Sequence, residues 1–128
     1  NGMEVVLSKY FENEQKGRLF VTNTGKTIPI DYDDILFIKS EGAYSLITTE
    51  NEVHVSSKNI GYYEQSLPES LFARPHNSYL VNMQKIATLS KSRNGKIKLV
   101  NGQEIPVSQR KLSNFIEQFQ QSHSNKLR

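Results

Sequence analysis

The residues best equipped for chemistry lie together in Phe72-Ala73-Arg74-Pro75-His76-Asn77-Ser78-Tyr79-Leu80-Val81-Asn82. A polar trio, His76-Asn77-Ser78, separates an approaching segment from an apolar Tyr-Leu-Val run. Pro75 biases Arg74 toward extended backbone and stiffens the approach. Each member of the trio can address nucleic acid. An Asn amide meets adenine bidentately, an imidazole meets a purine acceptor, and a Ser hydroxyl bonds a base edge or a phosphate. Short polar side chains in a loop serve equally well to satisfy backbone groups. On residue types alone the two readings stand level.

Other site chemistry is missing from the pattern. His54, His76 and His123 are far apart, form no His-x-x-x-His pair, and have no carboxylate cluster around them, so no metal site is expected. There is no cysteine, which removes disulfides, thiolate catalysis and Cys-ligated zinc. The absence of cysteine is also compatible with a reducing cytoplasm, the expected location. No Gly-rich phosphate loop and no nucleophile elbow occurs. Asp31, Asp33 and Asp34 resemble the acids of a phosphoacceptor pocket, but such a pocket needs a parallel α/β scaffold. They read better as turn residues. The sequence therefore points to no enzyme, no cofactor and no small-molecule substrate.

The elements that must position the trio are mostly short strands. Leu19–Thr22 and Thr27–Ile30 form a hairpin about Asn23-Thr24-Gly25, with Pro29 at an edge or non-donating position. Ile35–Ile38 is apolar on both faces and reads as a buried strand. Tyr44–Thr49 and Val53–Ser56 form a second pair that turns at Glu50-Asn51. Lys58–Leu67 suits a short helix with Ile60, Tyr63 and Leu67 inward, stopped by Pro68. Asn94-Gly95 and Asn101-Gly102 signal type I′ turns in a meander over about 86–92, 96–100 and 103–107. From Ser108, an N-cap candidate, Leu112, Phe115, Ile116 and Phe119 recur at helical spacing. The polar tail from Gln120 is expected to fray. Ile35, Phe37, Leu46, Phe72, Leu80, Ile97, Leu99, Ile105 and Val107 are the expected core.

A chain of 128 residues makes one modest domain, and no apolar run is long enough to span a membrane. The net charge of +3 is unevenly spread. Residues 1–64 hold six Lys/Arg against ten Asp/Glu, whereas residues 65–128 hold ten against three. Such asymmetry points toward a polyanion unless folding interleaves the halves.

The trio segment resembles the hallmark of the LytTR DNA-binding family, F-x-R-x-H-[RN]-S-[YF]-[LIV]-V-N. Two further blocks match in family order. Asp34–Ile38 through Glu41-Gly42-Ala43-Tyr44 is similar to the family's D-D-I and E-G-x-Y strand and loop. Asn101–Arg110 is similar to its closing N-G-x-x-I-P-V-S-R-R. Together the blocks span roughly residues 18–119.

The resemblance implies a mainly β fold of about ten short strands in antiparallel sheets stacked as an elongated sandwich. A short helix near 58–67 and a C-terminal helix near 109–120 complete it. Residues 1–17 are then a linker or upstream remnant, 18–120 the DNA-binding domain, and 121–128 a flexible tail. It further implies sequence-specific binding of double-stranded DNA by loops, which enter successive major grooves, as the output domain of a bacterial two-component transcription regulator. Base contacts fall to Tyr44, His76, Asn77, Gln109 and Arg110, and phosphate contacts to Ser45, Lys58, Asn59, Ser78 and Lys111. Lys58-Asn59 gains from its place at an expected helix start, where free N–H groups favour anions.

The chain departs from the family at Asn77 and Gln109, where many members carry Arg, and both amides favour adenine over guanine. Repeated half-sites, an upstream receiver or membrane domain and a monomeric isolated domain are expected with it. The competing possibility is a β-rich protein–protein or sensory module that keeps the fold without DNA contacts.

Overall fold

The computed structural model describes residues 17–90 and 95–126, which form ten antiparallel strands and two α-helices. The strands are β1 (Arg18–Asn23), β2 (Lys26–Asp31), β3 (Ile35–Glu41), β4 (Tyr44–Thr49), β5 (Val53–Ser56), β6 (Phe72–His76), β7 (Tyr79–Asn82), β8 (Ile86–Leu89), β9 (Lys96–Leu99) and β10 (Glu104–Pro106). The helices are α1 (Ile60–Ser66) and α2 (Leu112–Lys126). The expected linker over residues 1–17 lies almost wholly outside the described residues.

A five-stranded sheet in the order β5-β4-β3-β7-β6 is the centre of the molecule. Its two faces bury two separate cores. On one face, Ile35, Ile38, Ile47, Phe72 and Leu80 meet the β1–β2 hairpin and α1 through Leu19, Val21, Ile30, Ile60, Tyr63 and Leu67. On the other, Leu36, Phe37, Ala73 and Val81 meet the β8–β9–β10 sheet and α2 through Ile97, Leu99, Ile105 and Phe115. Side chains alternate across a strand, so neighbours such as Phe72 and Ala73, or Leu80 and Val81, supply opposite cores. Strand β3 is apolar from Ile35 to Ile38, where it is buried on both sides, and turns polar over Lys39–Glu41 as it leaves the core. A register shift between Ile35 and Phe37 adjusts which residue faces which core.

Several expectations need correction. Leu46 is only half-buried, while Ser45 and Ile47 on the opposite face are fully buried. The two-residue periodicity of Tyr44–Thr49 fits either phase, and tertiary packing chose the other.

The Asn101-Gly102 turn is not type I′, because Gly102 has φ +93° and Asn101 is not among the residues with positive φ. Gly102 N donates to Leu99 O, and Leu99 N donates to Gln103 O, both at 2.9 Å. That is a three-residue loop with a glycine bulge. Asn94 lies outside the described residues. The type I′ geometry occurs instead at Thr24-Gly25, with φ of +47° and +77° between the paired Asn23 and Lys26.

The closing helix continues to Lys126, past the expected boundary at 120. Gln118 Nε2 donates to Glu69 O at 3.1 Å, and Ser122 Oγ, within the supposed tail, donates to Ser70 O at 3.0 Å, so the helix docks on the loop before β6.

Candidate nucleic-acid interface

Register places five strand ends in a row at one end of the central sheet. Ser56 pairs with Ser45 beside Tyr44, Tyr44 pairs with Glu41, Lys39 pairs with Tyr79, and Tyr79 pairs with His76. Two backbone bonds knit the loops of this end together. Ser40 N donates to Ser78 O at 2.8 Å, which ties the Glu41–Tyr44 turn to the trio. Ser108 N donates to Pro75 O at 2.8 Å, which brings the 3₁₀ turn Gln109–Lys111 to the other side of the trio. The three segments suggested by sequence, distant along the chain, are thus contiguous.

The trio is held from within. His76 Nδ1 accepts from Ser78 N at 3.1 Å, so in the neutral ring the proton resides on Nε2, which is left to donate. The imidazole stands edge-on to Tyr79, 5.8 Å between centroids, and Tyr79 leans on the buried Phe37. Asn77 is exposed, and its amide finds no partner among the described residues. Its carbonyl is engaged, accepting from Arg74 Nη2 at 2.7 Å. Ser78 is half-buried, with both backbone groups in use.

The remaining candidates divide. Tyr44, at 55% exposure, and Gln109 and Arg110 are open to solvent. Lys58 is exposed, with Nζ 5.2 Å from the Tyr62 ring centroid. Asn59 caps α1, its Oδ1 accepting from Tyr62 N at 2.9 Å. Such a cap is worth about 1 kcal/mol, and it leaves only the amide NH₂ for another partner.

Ser45 must be withdrawn as a phosphate contact. It is 0% exposed, and its hydroxyl is buried without a hydrogen-bond partner. Beside it, the Ser56 hydroxyl and the buried Tyr63 hydroxyl are hydrogen-bonded, and Ser56 Oγ also accepts from Lys58 N at 3.1 Å. Ser45 lies in the floor under the row, because the β4 phase that exposes Tyr44 turns Ser45 inward.

Electrostatics distinguish the two ends of the sheet. Lys39, Lys58, Arg74, Arg110 and Lys111 gather near the row, with Glu41 and Glu64 as nearby acids. Burial, followed by the Arg74 guanidinium, lowers the Lys111 ammonium below its ordinary pKa, with Arg110 adding to the effect and Glu64 opposing it. At the opposite end, Asp33, Asp34, Glu50 and Glu52 line one hollow with Lys85 and His54. The row end is thus richer in cations and the opposite end richer in acids. Among the described residues, no three His, Asp or Glu side chains converge as a metal site, and no helix is long and apolar enough to cross a membrane.

Sequence reading missed roles for two residues inside the hallmark segment. Asn82, 2% exposed, donates to Tyr32 O at 3.1 Å and Ile35 O at 2.9 Å, and accepts from Gln84 N at 2.9 Å. It fastens β7 to the start of β3 and is structural. Arg74 bridges α1 to the trio through Glu64 Oε1, 2.7 Å from its Nη1. A polar residue closing an apolar strand signals the first role. Nothing in sequence spacing signals the second.

Comparison with known proteins agrees with this architecture. A family model described as the LytTr DNA-binding domain matches residues 25–120. The Sensory transduction protein LytT of Enterococcus faecalis is 28% identical over 87 residues, which cover 66% of this chain and 36% of that protein. The chain thus spans about a third of that relative's length. A solved LytTr DNA-binding domain from a Bacillus cereus methyl-accepting/DNA response regulator superposes with a TM-score of 0.72 at 22% identity. The match covers 80% of this chain and 96% of that one, which establishes the shared fold. With residues 25–120 under the family model, the chain belongs to the LytTR family of DNA-binding domains.

Proposed function

We propose that this domain binds double-stranded DNA sequence-specifically through the row at the Tyr44–His76 end of the central sheet. The observation that carries the reading is the stitching of the three loops by Ser40 N to Ser78 O and Ser108 N to Pro75 O. Base edges fall to His76, Asn77, Tyr44, Gln109 and Arg110, whose side chains project from loops and strand ends. Phosphates fall to Lys58, Ser78, Lys111 and the free NH₂ of Asn59. Four inter-strand steps of about 4.8 Å give a row roughly 19 Å wide. A major groove is only about 12 Å wide, so the row reaches both a groove and the backbone beside it. The loops then enter the groove in place of a recognition helix, with further contacts in the next groove along the same face.

By this reading the domain is the output module of a bacterial transcription regulator, in a cytoplasmic protein with an upstream receiver or membrane-linked module. A monomeric domain binds one half-site weakly, and repeated half-sites supply avidity through effective concentration.

The test is selection from a randomised duplex pool, followed by titration of the selected and scrambled duplexes at two salt concentrations. An enriched motif and steep salt dependence are expected, with each phosphate contact adding about −0.9 to the log–log slope. Lys58→Ala should weaken both duplexes alike and flatten the slope. A pool that yields no enriched sequence, with no salt-dependent binding, would sink the proposal in favour of a protein-binding module.

A further inference from the structure

We infer that Arg74 is a positioning residue for DNA reading, locking the His76-Asn77-Ser78 loop to helix α1 without itself touching DNA. The inference rests on the reading of that loop as the base-contacting element.

The β-ladder pairs His76 with Tyr79 but leaves the approach to this loop undefined. Pairing between β6 and β7 shifts register between Ala73 and His76, so Arg74 and Pro75 have no regular cross-strand partner. Pro75 has no N–H to give, and its carbonyl is taken by Ser108 N. Backbone bonds hold Pro75 and Ser78, and Arg74 supplies the side-chain link from the Asn77 carbonyl to α1. Nη1 meets Glu64 Oε1 and Nη2 donates to Asn77 O, each at 2.7 Å. One rigid guanidinium spans a helix and the trio, a two-directional task that suits its planar fork and not a lysine's single ammonium.

Burial supports the same role. The Arg74 side chain is 21% exposed, and its Nε is buried without a partner. An unsatisfied buried donor is uncommon in folded proteins and calls for an explanation. Here the guanidinium orientation that reaches both Glu64 and the Asn77 carbonyl leaves Nε facing the interior. Glu64 also offsets the charge of Arg74, and Arg74, Arg110 and Glu64 all act on the nearby Lys111 ammonium. A neutralised, largely covered guanidinium is poorly placed to serve as a phosphate ligand. Fixing the Asn77 backbone leaves its exposed amide at a set angle and sets where His76 Nε2 points.

The experiment uses the 128-residue chain with a duplex selected from a random pool and its scrambled counterpart. It compares Arg74→Lys, Glu64→Gln and the double charge swap Arg74→Glu with Glu64→Arg. For Arg74→Lys the expected loss is about tenfold on the selected duplex, comparable to one weakened base contact, with the scrambled duplex and salt slope unchanged. Glu64→Gln keeps the donor to Asn77 O and should show a smaller loss of the same kind. The charge swap should recover the melting temperature but not the specific affinity, because a carboxylate at position 74 cannot donate to the Asn77 carbonyl.

Recovery of both by the swap would reduce Arg74 to a structural ion pair and overturn the inference. Equal weakening of both duplexes with a flatter salt slope would make Arg74 a phosphate contact and overturn it too. His76→Ala run in parallel separates the two levels. If it leaves specific affinity intact, the loop does not read DNA and the underlying proposal fails. If it abolishes specificity while Arg74→Lys does not, only the role of Arg74 fails.

Discussion

The backbone N–H of Ser108 donates to the carbonyl of Pro75 at 2.8 Å, joining the turn before α2 to the strand that ends in His76. The Ser108 side chain itself makes no capping hydrogen bond, contrary to the role its position suggests. Its backbone, at φ −62°, is compatible with proline. Ser108→Ala should be near neutral, within about 0.5 kcal/mol. Ser108→Pro removes the donor and crowds the Pro75 carbonyl, so a loss of about 1–3 kcal/mol is expected. Thermal melts of the two variants check the contrast; equal melting temperatures would show that the bond contributes nothing.

Lys111 provides a pH signature. Its pKa is lowered in the free domain, so the folded chain binds fewer protons there than the unfolded chain. Stability from this group consequently rises as pH climbs from the lowered value toward the usual lysine value of about 10.4. A nearby phosphate would favour the ammonium and raise its pKa again. DNA affinity should then be full below the free-domain value and decline as pH rises through it. Lys111→Arg remains charged and should lack this component. Titrations of both proteins at pH values up to the usual lysine range test the point, and superimposable pH profiles would remove Lys111 from the phosphate contacts.

Thr24 occupies left-handed space at φ +47°, with its hydroxyl donating to Asn23 O at 2.8 Å. A β-branched residue is poorly suited to that region, whereas Asn is tolerated there. Thr24→Asn should add up to about 1 kcal/mol of stability, read as a higher denaturation midpoint with unchanged DNA binding. A lower midpoint would mean that the hydroxyl bond outweighs the backbone strain.

Asn82 is the internal contrast to Asn77. Truncation to Ala removes the donor to the Tyr32 and Ile35 carbonyls and the side-chain acceptor for Gln84 N–H. A loss of about 2–3 kcal/mol in stability is expected, with the ratio of specific to scrambled affinity unchanged. A shift in that ratio, without loss of stability, would move Asn82 from the scaffold to the interface.

Much of this architecture was legible before folding. Alternating apolar residues and turn signals located most strands, because a half-buried strand imposes a period of two on its sequence. Strand β3 stood out as a continuous apolar run, and β6 and β7 as the segments flanking the trio. The phase of β4 was not legible. Tyr44-Ser45-Leu46-Ile47 carries apolar residues in both phases, and only packing against Tyr63 and Ile38 decided that Ser45 and Ile47 turn inward. The length of α2 was hidden for a related reason. Gln118 and Ser122 look solvent-bound in sequence, yet they satisfy carbonyls before β6. The trio was visible as a motif, but its neighbours were not. Ser40, Pro75 and Ser108 meet through backbone atoms, which carry no signature in residue type.

The central claim is that His76 and Asn77 read bases, and one paired measurement addresses it directly. His76→Ala and Asn77→Ala are compared with the parent chain for melting temperature and for affinity toward a selected and a scrambled duplex. Each lost base contact is worth about 1–3 kcal/mol, roughly a 5- to 150-fold weakening on the selected duplex. The scrambled duplex should change little, and stability should hold within about 0.5 kcal/mol for the exposed Asn77. Asn77→Arg should move preference toward guanine at one position of the site. Variants that melt early and lose both duplexes in equal proportion would contradict the account, because the trio would then hold its own loop together and read nothing.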